Sequence, residues 1–310
     1  MEIVGVEEEV EMAFNGKNRE KGSKRLTDFF ITLPGLIIYS VFFVIPLLMG
    51  LFYSFTDWNG ISQQFNVIGF ENYQRLIDDE RFIETLGFTF KYSFFLIVGV
   101  IFFAITIALI LESKNLKGFS FFTTVFFVPA VMSLVTVGMI FKEMYYRALP
   151  ALGQNLGIEA LSTNILSNPD MAGFGILFAN IWTATAIPMV LFAAALQNVP
   201  GELYEAAEMD GASYSQKFKH VTFAYLIPTI SIVFILQLKA GLGVFDYVMA
   251  ITGGGPAGAT ESIGTLIYKL AFEERRFGYS VTVGVIVFLL IAAISLIQVK
   301  LTQKKEVSAE

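Results

Sequence analysis

The sequence predicts an all-α integral membrane protein with six transmembrane helices and a polar helix–turn–helix between the fourth and the fifth. Three observations carry that prediction. Over 310 residues, 55% are hydrophobic and only 15% are charged, and the mean hydropathy is +0.64, too apolar for an ordinary soluble chain. The apolar residues come in blocks, several of them longer than the ~20 residues that bridge a hydrocarbon core. One substantial polar stretch, Glu202–Pro228, lies between two such blocks and carries its own helix start and stop signals.

Residues 1–26 read as a cytoplasmic tail, acidic at Glu7, Glu8, Glu9 and Glu11, then basic from Lys17 to Arg25, with no signal-peptide pattern. Residues 27–301 then form the transmembrane domain. The first span is expected at about Phe29–Phe55, with Pro34 and Pro46 inside it. Prolines are tolerated there because neighbouring helices satisfy the freed carbonyls. A polar segment follows to Gly87, and a second span covers about Phe88–Leu111. After a basic turn at 112–118, a third span is expected at about Phe119–Phe141, interrupted by Pro129. Met144–Met171 reads as a second polar loop, punctuated by Pro150, Gly153, Gly157 and Pro169. Spans four, five and six fall at about Gly173–Leu196, Phe223–Phe245 and Val281–Val299, and 302–310 is a short tail.

Six spans put both termini on one side, together with the polar elbow at 200–222. Of the 21 Lys and Arg residues, twelve fall on that side. They crowd short segments beside span ends, where positive charge holds a segment in the cytoplasm. The expected orientation is therefore termini and elbow inside.

Within the elbow, Pro200 and Gly201 close the preceding apolar run, and Glu202 and Glu205 are placed in the first turn of a new helix, at the positive end of its dipole. Leu203, Ala206, Ala207 and Asp210 share a face at helical spacing. Gly211 tolerates the left-handed conformation that ends a helix. Ser213 precedes Gln216 by three positions, a capping-box signature for a second helix. A helix, a glycine bend and a helix with a small-residue face fit a docking element; a solvated connecting loop fits the same spacing.

Polar groups inside the spans are costly and tend to mark a pathway or an interhelical hydrogen bond. Asn180, Thr183 and Thr185 precede Pro188 in span four; Gln237 and Lys239 lie in span five. Lys239 and Asp246, seven apart, are expected on one helix face, with Gly241 and Gly243 between them allowing a ligand or a backbone to approach.

Several chemistries are excluded or disfavoured. With no cysteine there is no disulfide, thiolate nucleophile or cysteine metal site. Gly253-Gly254-Gly255-Pro256 is not a phosphate loop, since no Lys-Ser or Lys-Thr follows and no strand precedes it. His220 is the sole histidine, and a metal site needs more ligands than it offers. No nucleophile–base–acid grouping is visible, so no catalytic residue is assigned and no enzyme or nucleic-acid partner is expected. Transport against a gradient would need energy from elsewhere.

The residues Glu205-Ala206-Ala207, Asp210-Gly211-Ala212 and Phe218 resemble the EAA loop of bacterial ABC-importer permeases. Thr252-Gly253-Gly254-Gly255-Pro256, Ala271-Phe272-Glu273 with Phe277-Gly278-Tyr279, and Gly69-Phe70-Glu71-Asn72-Tyr73 are similar to the sugar, maltose-permease-like branch. The likeness runs from Thr27 to Leu301 and is most specific over Trp182–Gly278. It departs at Phe223-Ala224, where many members carry Leu-Pro, although Pro228 keeps the later proline.

The resemblance implies a permease subunit of a binding-protein-dependent carbohydrate importer in the bacterial cytoplasmic membrane. It implies a second homologous permease, two ATP-binding cassette subunits and an extracellular solute-binding protein as partners. ATP and Mg would be bound by the ATPase and no cofactor by this chain. Glu205, Ala206, Ala207, Asp210, Gly211, Ala212 and Phe218 would couple to the ATPase, and Thr185, Pro188, Gln237, Lys239, Gly241 and Asp246 would line the solute path. A glycerol-phosphate-type importer subunit and a self-sufficient ion-coupled carrier or channel are the alternatives.

Overall fold

Residues 29–112 and 119–306 are described by a computed structural model, and every regular element among them is a helix. The expected tail at 1–26 and most of the basic turn lie outside the described residues, as do residues 307–310. Contacts divide the chain into residues 1–54 and residues 55–310.

In the first unit, α1 runs Phe29–Tyr53, long enough at 1.5 Å per residue to cross a bilayer. None of its residues is buried. A wide turn at Ser40–Val44, closed by the Ile45 N–H on the Ser40 carbonyl, ends two residues before Pro46. Proline cannot donate to the carbonyl four residues back, and shifting the ladder to i−5 absorbs the lost bond.

The second unit begins with a hydrogen-bonded segment before its first long helix. Asn72, on α2 (Glu71–Ile77), donates from Nδ2 to the Thr56 carbonyl at 2.9 Å. Asp79 caps α3 (Glu80–Leu111), accepting from the Phe82 N–H at 3.2 Å. This helix starts eight residues before the expected span, because the cap and not the hydropathy sets its beginning. Tyr92, Leu96, Val100, Ala104 and Ala108 form its buried stripe at steps of four.

The expected third span is broken. Helix α4 (Phe119–Phe127) passes through a tight turn at Val128–Val131 that contains the buried Pro129. A new helix, α5 (Leu134–Leu156), leaves at 101° to the preceding segment. It carries straight through the first half of the expected loop at 144–171. Pro150 does not stop it, because a second wide turn at Met144–Ala148 again ends two residues before the proline. Left-handed Gly157 ends it.

Span four is α6 (Pro169–Ala184) followed by α7 (Ala186–Gln197), with a 45° bend between them. The bend falls where Pro188 has no N–H for the Ala184 carbonyl and its ring crowds it. Beyond α8 (Gly201–Met209), α9 spans Tyr214–Leu242 as one continuous helix. Two short helices, α10 (Asp246–Ile251) and α11 (Ile263–Tyr268), precede the last described helix, the long α12 (Phe277–Glu306). Among the described residues, four helices are long and apolar enough to cross a membrane, and counting each bent pair as one span gives six.

Helix α3 is the centre of the second unit, packed on α6, α7 and α9. Lipid tails are as apolar as leucine, so helix association here depends on close contact more than on burial from water. Gly241 shows this. A Cβ there would lie 2.7 Å from Ser93 Oγ and 2.9 Å from Ser93 Cα, and helix backbone cannot retreat. Gly241→Val is expected to cost about 1–3 kcal/mol by overpacking, read as a lower unfolding temperature of the purified protein.

Candidate functional site

The elbow is built from local hydrogen bonds. At the end of α8, the Ala212 N–H reaches the Ala207 carbonyl at 2.9 Å and the Gly211 N–H reaches Glu208 at 3.0 Å. This double closure requires a left-handed residue at Gly211, whose φ is +74°. Two residues on, the Gln216 Oε1 accepts from the Ser213 N–H at 2.7 Å and from its hydroxyl at 2.8 Å, which starts α9. Glu202 lies in the first turn of α8, whereas Glu205 falls one turn further in, because the helix begins at Gly201.

Two contacts hold the elbow arms together. The Tyr204 and Thr222 hydroxyls lie 2.9 Å apart, and Lys217 Nζ sits 2.7 Å from Glu208 Oε1. Because α9 runs unbroken from Tyr214 into span five, any displacement of the elbow is a displacement of that span. Glu205, Ala206, Asp210 and Gly211 are exposed, while Ala207, Ala212 and Phe218 are half-buried. Sequence reasoning missed Met209 and Tyr214, which bracket the bend and are 89% and 79% exposed. Large side chains left in water beside a rigid turn are what an interface core uses. The signal was present: an apolar residue on each side of an otherwise polar bend.

The in-span polar residues separate into two groups. Thr185 Oγ1 donates to the Ile181 carbonyl at 2.6 Å and Thr183 Oγ1 to Ala179 at 3.1 Å, so both satisfy themselves within α6. Thr185 also borders an apolar cavity of about 310 Å³ beside Trp182 and Pro129. Asn180 Nδ2 donates to the Tyr92 hydroxyl at 2.7 Å, a buried link between α6 and α3 that spacing alone did not reveal. Pro188 is buried, and so is Gln237, whose Oε1 has no hydrogen-bond partner. Lys239 and Asp246 do not share a helix face. Helix α9 ends at Leu242, Gly243 and Val244 break it, and Asp246 opens α10; both charged residues are exposed. The glycine that was expected to admit a close approach admits the backbone of α3 at Ser93.

No family model matches the sequence. The multiple sugar-binding transport system permease protein MsmF of Streptococcus mutans serotype c is 44% identical over 278 residues, covering 90% of this chain and 95% of that protein. The chain belongs to the permease subunits of sugar ABC transporters. The permease is also 31% identical over 274 residues to AmyD of Thermoanaerobacterium thermosulfurigenes, described as a probable starch degradation products transport system permease, with 88% and 93% covered. Its fold matches a chain of a bacterial ABC transporter that imports the acidic polysaccharide alginate, at a TM-score of 0.79 and 21% identity, over 91% of this chain and 96% of that one.

At the opposite end of α9 from the elbow, the permease carries a charge clamp with no trace in the sequence pattern. Glu261, with its side chain only 6% exposed, accepts from Arg81 Nε at 2.7 Å, Arg81 Nη2 at 2.9 Å and Lys269 Nζ at 2.9 Å. Burial pushes its pKa up, but hydrogen bonds from Arg81 and Lys269 outweigh this and hold the carboxyl below its usual value. Arg81 also reaches Glu274. The clamp therefore ties the first turn of α3 to the segment that follows the glycine turn at 253–254. Arg81 lies 180 residues from Glu261, so only the fold brings them together.

Proposed function

We propose that this permease conducts a carbohydrate across the bacterial cytoplasmic membrane, with both termini and the elbow inside. It works with a second homologous permease, two ATP-binding cassette subunits and an extracellular solute-binding protein. ATP and Mg act on the cassette subunits, and this chain hydrolyses nothing. The observation that carries the reading is the elbow: a rigid bend, exposed on its outer face and continuous with span five. Cassette closure would push Met209 and Tyr214, with Glu205 and Asp210 orienting the contact. The motion would pass along α9 and switch the bundle between inward and outward access. The sugar and starch-product systems named for its relatives support a carbohydrate as cargo.

The test is co-purification after mild solubilisation, combined with labelling of a single cysteine at Ser215. A cysteine-free chain makes such labelling unambiguous. An ATPase and a second six-span subunit are expected in the preparation, and Ser215→Cys is expected to react only in inside-out vesicles. Labelling in right-side-out vesicles would sink the orientation.

The solute path is proposed to include Thr185, Pro188, Gln237, Lys239, Gly241 and Asp246. Gln237 is the strongest of these, since a buried carbonyl without a partner costs about 1–3 kcal/mol unless something else pairs with it. Gln237→Ala and Asp246→Ala are expected to lower uptake at saturating solute. Wild-type rate and affinity in both variants would remove them from the path.

A further inference from the structure

Two adjoining cavities open at the outer end of the bundle, of about 540 and 410 Å³, and they share Glu84, Phe88 and Ala259. The larger lies in a groove between α3 and α6. Glu84, Phe88 and Lys91 succeed one another on one face of α3 at steps of four and three. Asp170 and Phe174 line the facing wall on α6 at a step of four. Gly87 widens the groove, since a Cβ there would meet no atom within 4 Å.

The charges in this groove have no work within the chain. The side chains of Glu84, Lys91 and Asp170 form no ion pair or hydrogen bond with another described residue. At the neighbouring clamp, by contrast, Glu261 is paired with Arg81 and Lys269. Counted up from Leu111, ~20 residues of α3 fill the hydrocarbon layer and reach about Tyr92. The groove thus stands at and above the outer edge of the membrane, in the orientation proposed above.

Its composition is aromatic with a few convergent polar groups, the usual make-up of a small-molecule site. Phe88 and Phe174 offer apolar ring faces, which suit the C–H face of a pyranose. Two carboxylates can each accept from neighbouring hydroxyls in charge-assisted bonds, and the lysine can donate to a ring or hydroxyl oxygen. Two negative charges against one positive charge disfavour a sugar phosphate, a uronate or an anionic lipid headgroup.

We propose that this groove is an outer subsite for a neutral carbohydrate, held by Glu84, Lys91 and Asp170 against the rings of Phe88 and Phe174. It rests on the carbohydrate reading and adds to it a place and a charge preference.

Gly87→Cys puts a unique thiol in the open part of the groove while leaving every proposed contact intact. In the complete transporter, reconstituted without binding protein, this thiol is labelled with a membrane-impermeant maleimide. Cellobiose, maltotriose and raffinose serve as neutral probes, digalacturonate and glycerol 3-phosphate as anionic ones. A neutral probe at about ten times its dissociation constant should slow labelling about tenfold, following 1 + [L]/Kd. The anionic probes should not, and Gln63→Cys in the outer loop should be unaffected. Adding Asp170→Asn or Phe174→Ala to the Gly87→Cys chain should abolish protection by the neutral probes.

A thiol that never reacts, or one that no neutral probe protects, overturns the subsite. Uptake of a neutral sugar by cells carrying the same transporter would then leave the carbohydrate reading standing. Protection by the anionic probes alone overturns the subsite, and uptake of glycerol 3-phosphate with no uptake of any sugar overturns the carbohydrate reading as well.

Discussion

Gly211→Val is expected to abolish coupled uptake while the membrane complex still assembles. A Cβ at this position meets nothing within 4 Å, so the substitution creates no clash with a neighbour. Its cost is confined to the backbone, where φ is +74°. An L-residue in that conformation costs about 1–2 kcal/mol, and a branched one more. The chain escapes by giving up the two bonds that close α8, on Ala207 and Glu208. A penalty of one or two kcal/mol lowers the ratio of bent to unbent conformers about 5- to 30-fold. Helix α8 has no buried residue, so the bundle itself should not notice. Uptake and ATP hydrolysis measured together in proteoliposomes should show hydrolysis continuing as transport falls. Gly211→Asn, which adopts the left-handed region at small cost, should keep most of the coupling. Full transport by the valine variant would mean that the bend transmits nothing.

The second large effect is expected at the Glu261 clamp. Glu261→Ala leaves Arg81 and Lys269 facing a buried hole where their shared counterion stood. Removing one partner of a buried pair typically costs about 3–5 kcal/mol. The lower end applies here, because Arg81 keeps Glu274 and both cations reach solvent, with side chains 41% and 21% exposed. Thermal unfolding of the purified permease should show it, with Glu261→Gln milder because its amide keeps the shape and one acceptor. The pH dependence follows from the same geometry. The folded-state pKa of Glu261 is depressed relative to the unfolded chain, so its stabilisation is complete above the ordinary glutamate range. It is lost as pH falls through the depressed folded value. The unfolding temperature of the wild type should therefore drop on the acid side, and Glu261→Gln should flatten that limb. An unchanged acid limb in the variant would show that the clamp contributes nothing to stability.

Hydropathy, proline, glycine and cap residues were enough to read the helical class and the position of most spans. The elbow was legible in detail, because Gly211, Ser213 and Gln216 act on backbone within a few residues of themselves. Local hydrogen bonds leave local signatures. The same reasoning failed where two local signals competed. Pro150 looked like a loop residue, yet a wide turn five residues long carried α5 past it. Pro129 looked like a kink within one span, and the chain turned through 101° instead. Lys239 and Asp246 had helical spacing, but the Gly243–Val244 break came between them.

By itself, then, the sequence determined that this chain crosses a membrane repeatedly and carries a bent helical pair between its fourth and fifth spans. Only the tertiary structure decided which buried polar groups meet. The Tyr92–Asn180 link, the Arg81–Glu261–Lys269 clamp and the groove between α3 and α6 each join residues from separate parts of the chain. The physical reason is range. Helix caps and turns are settled by neighbours in the chain, whereas charge pairing and cavity lining depend on how whole helices pack, which no periodicity records.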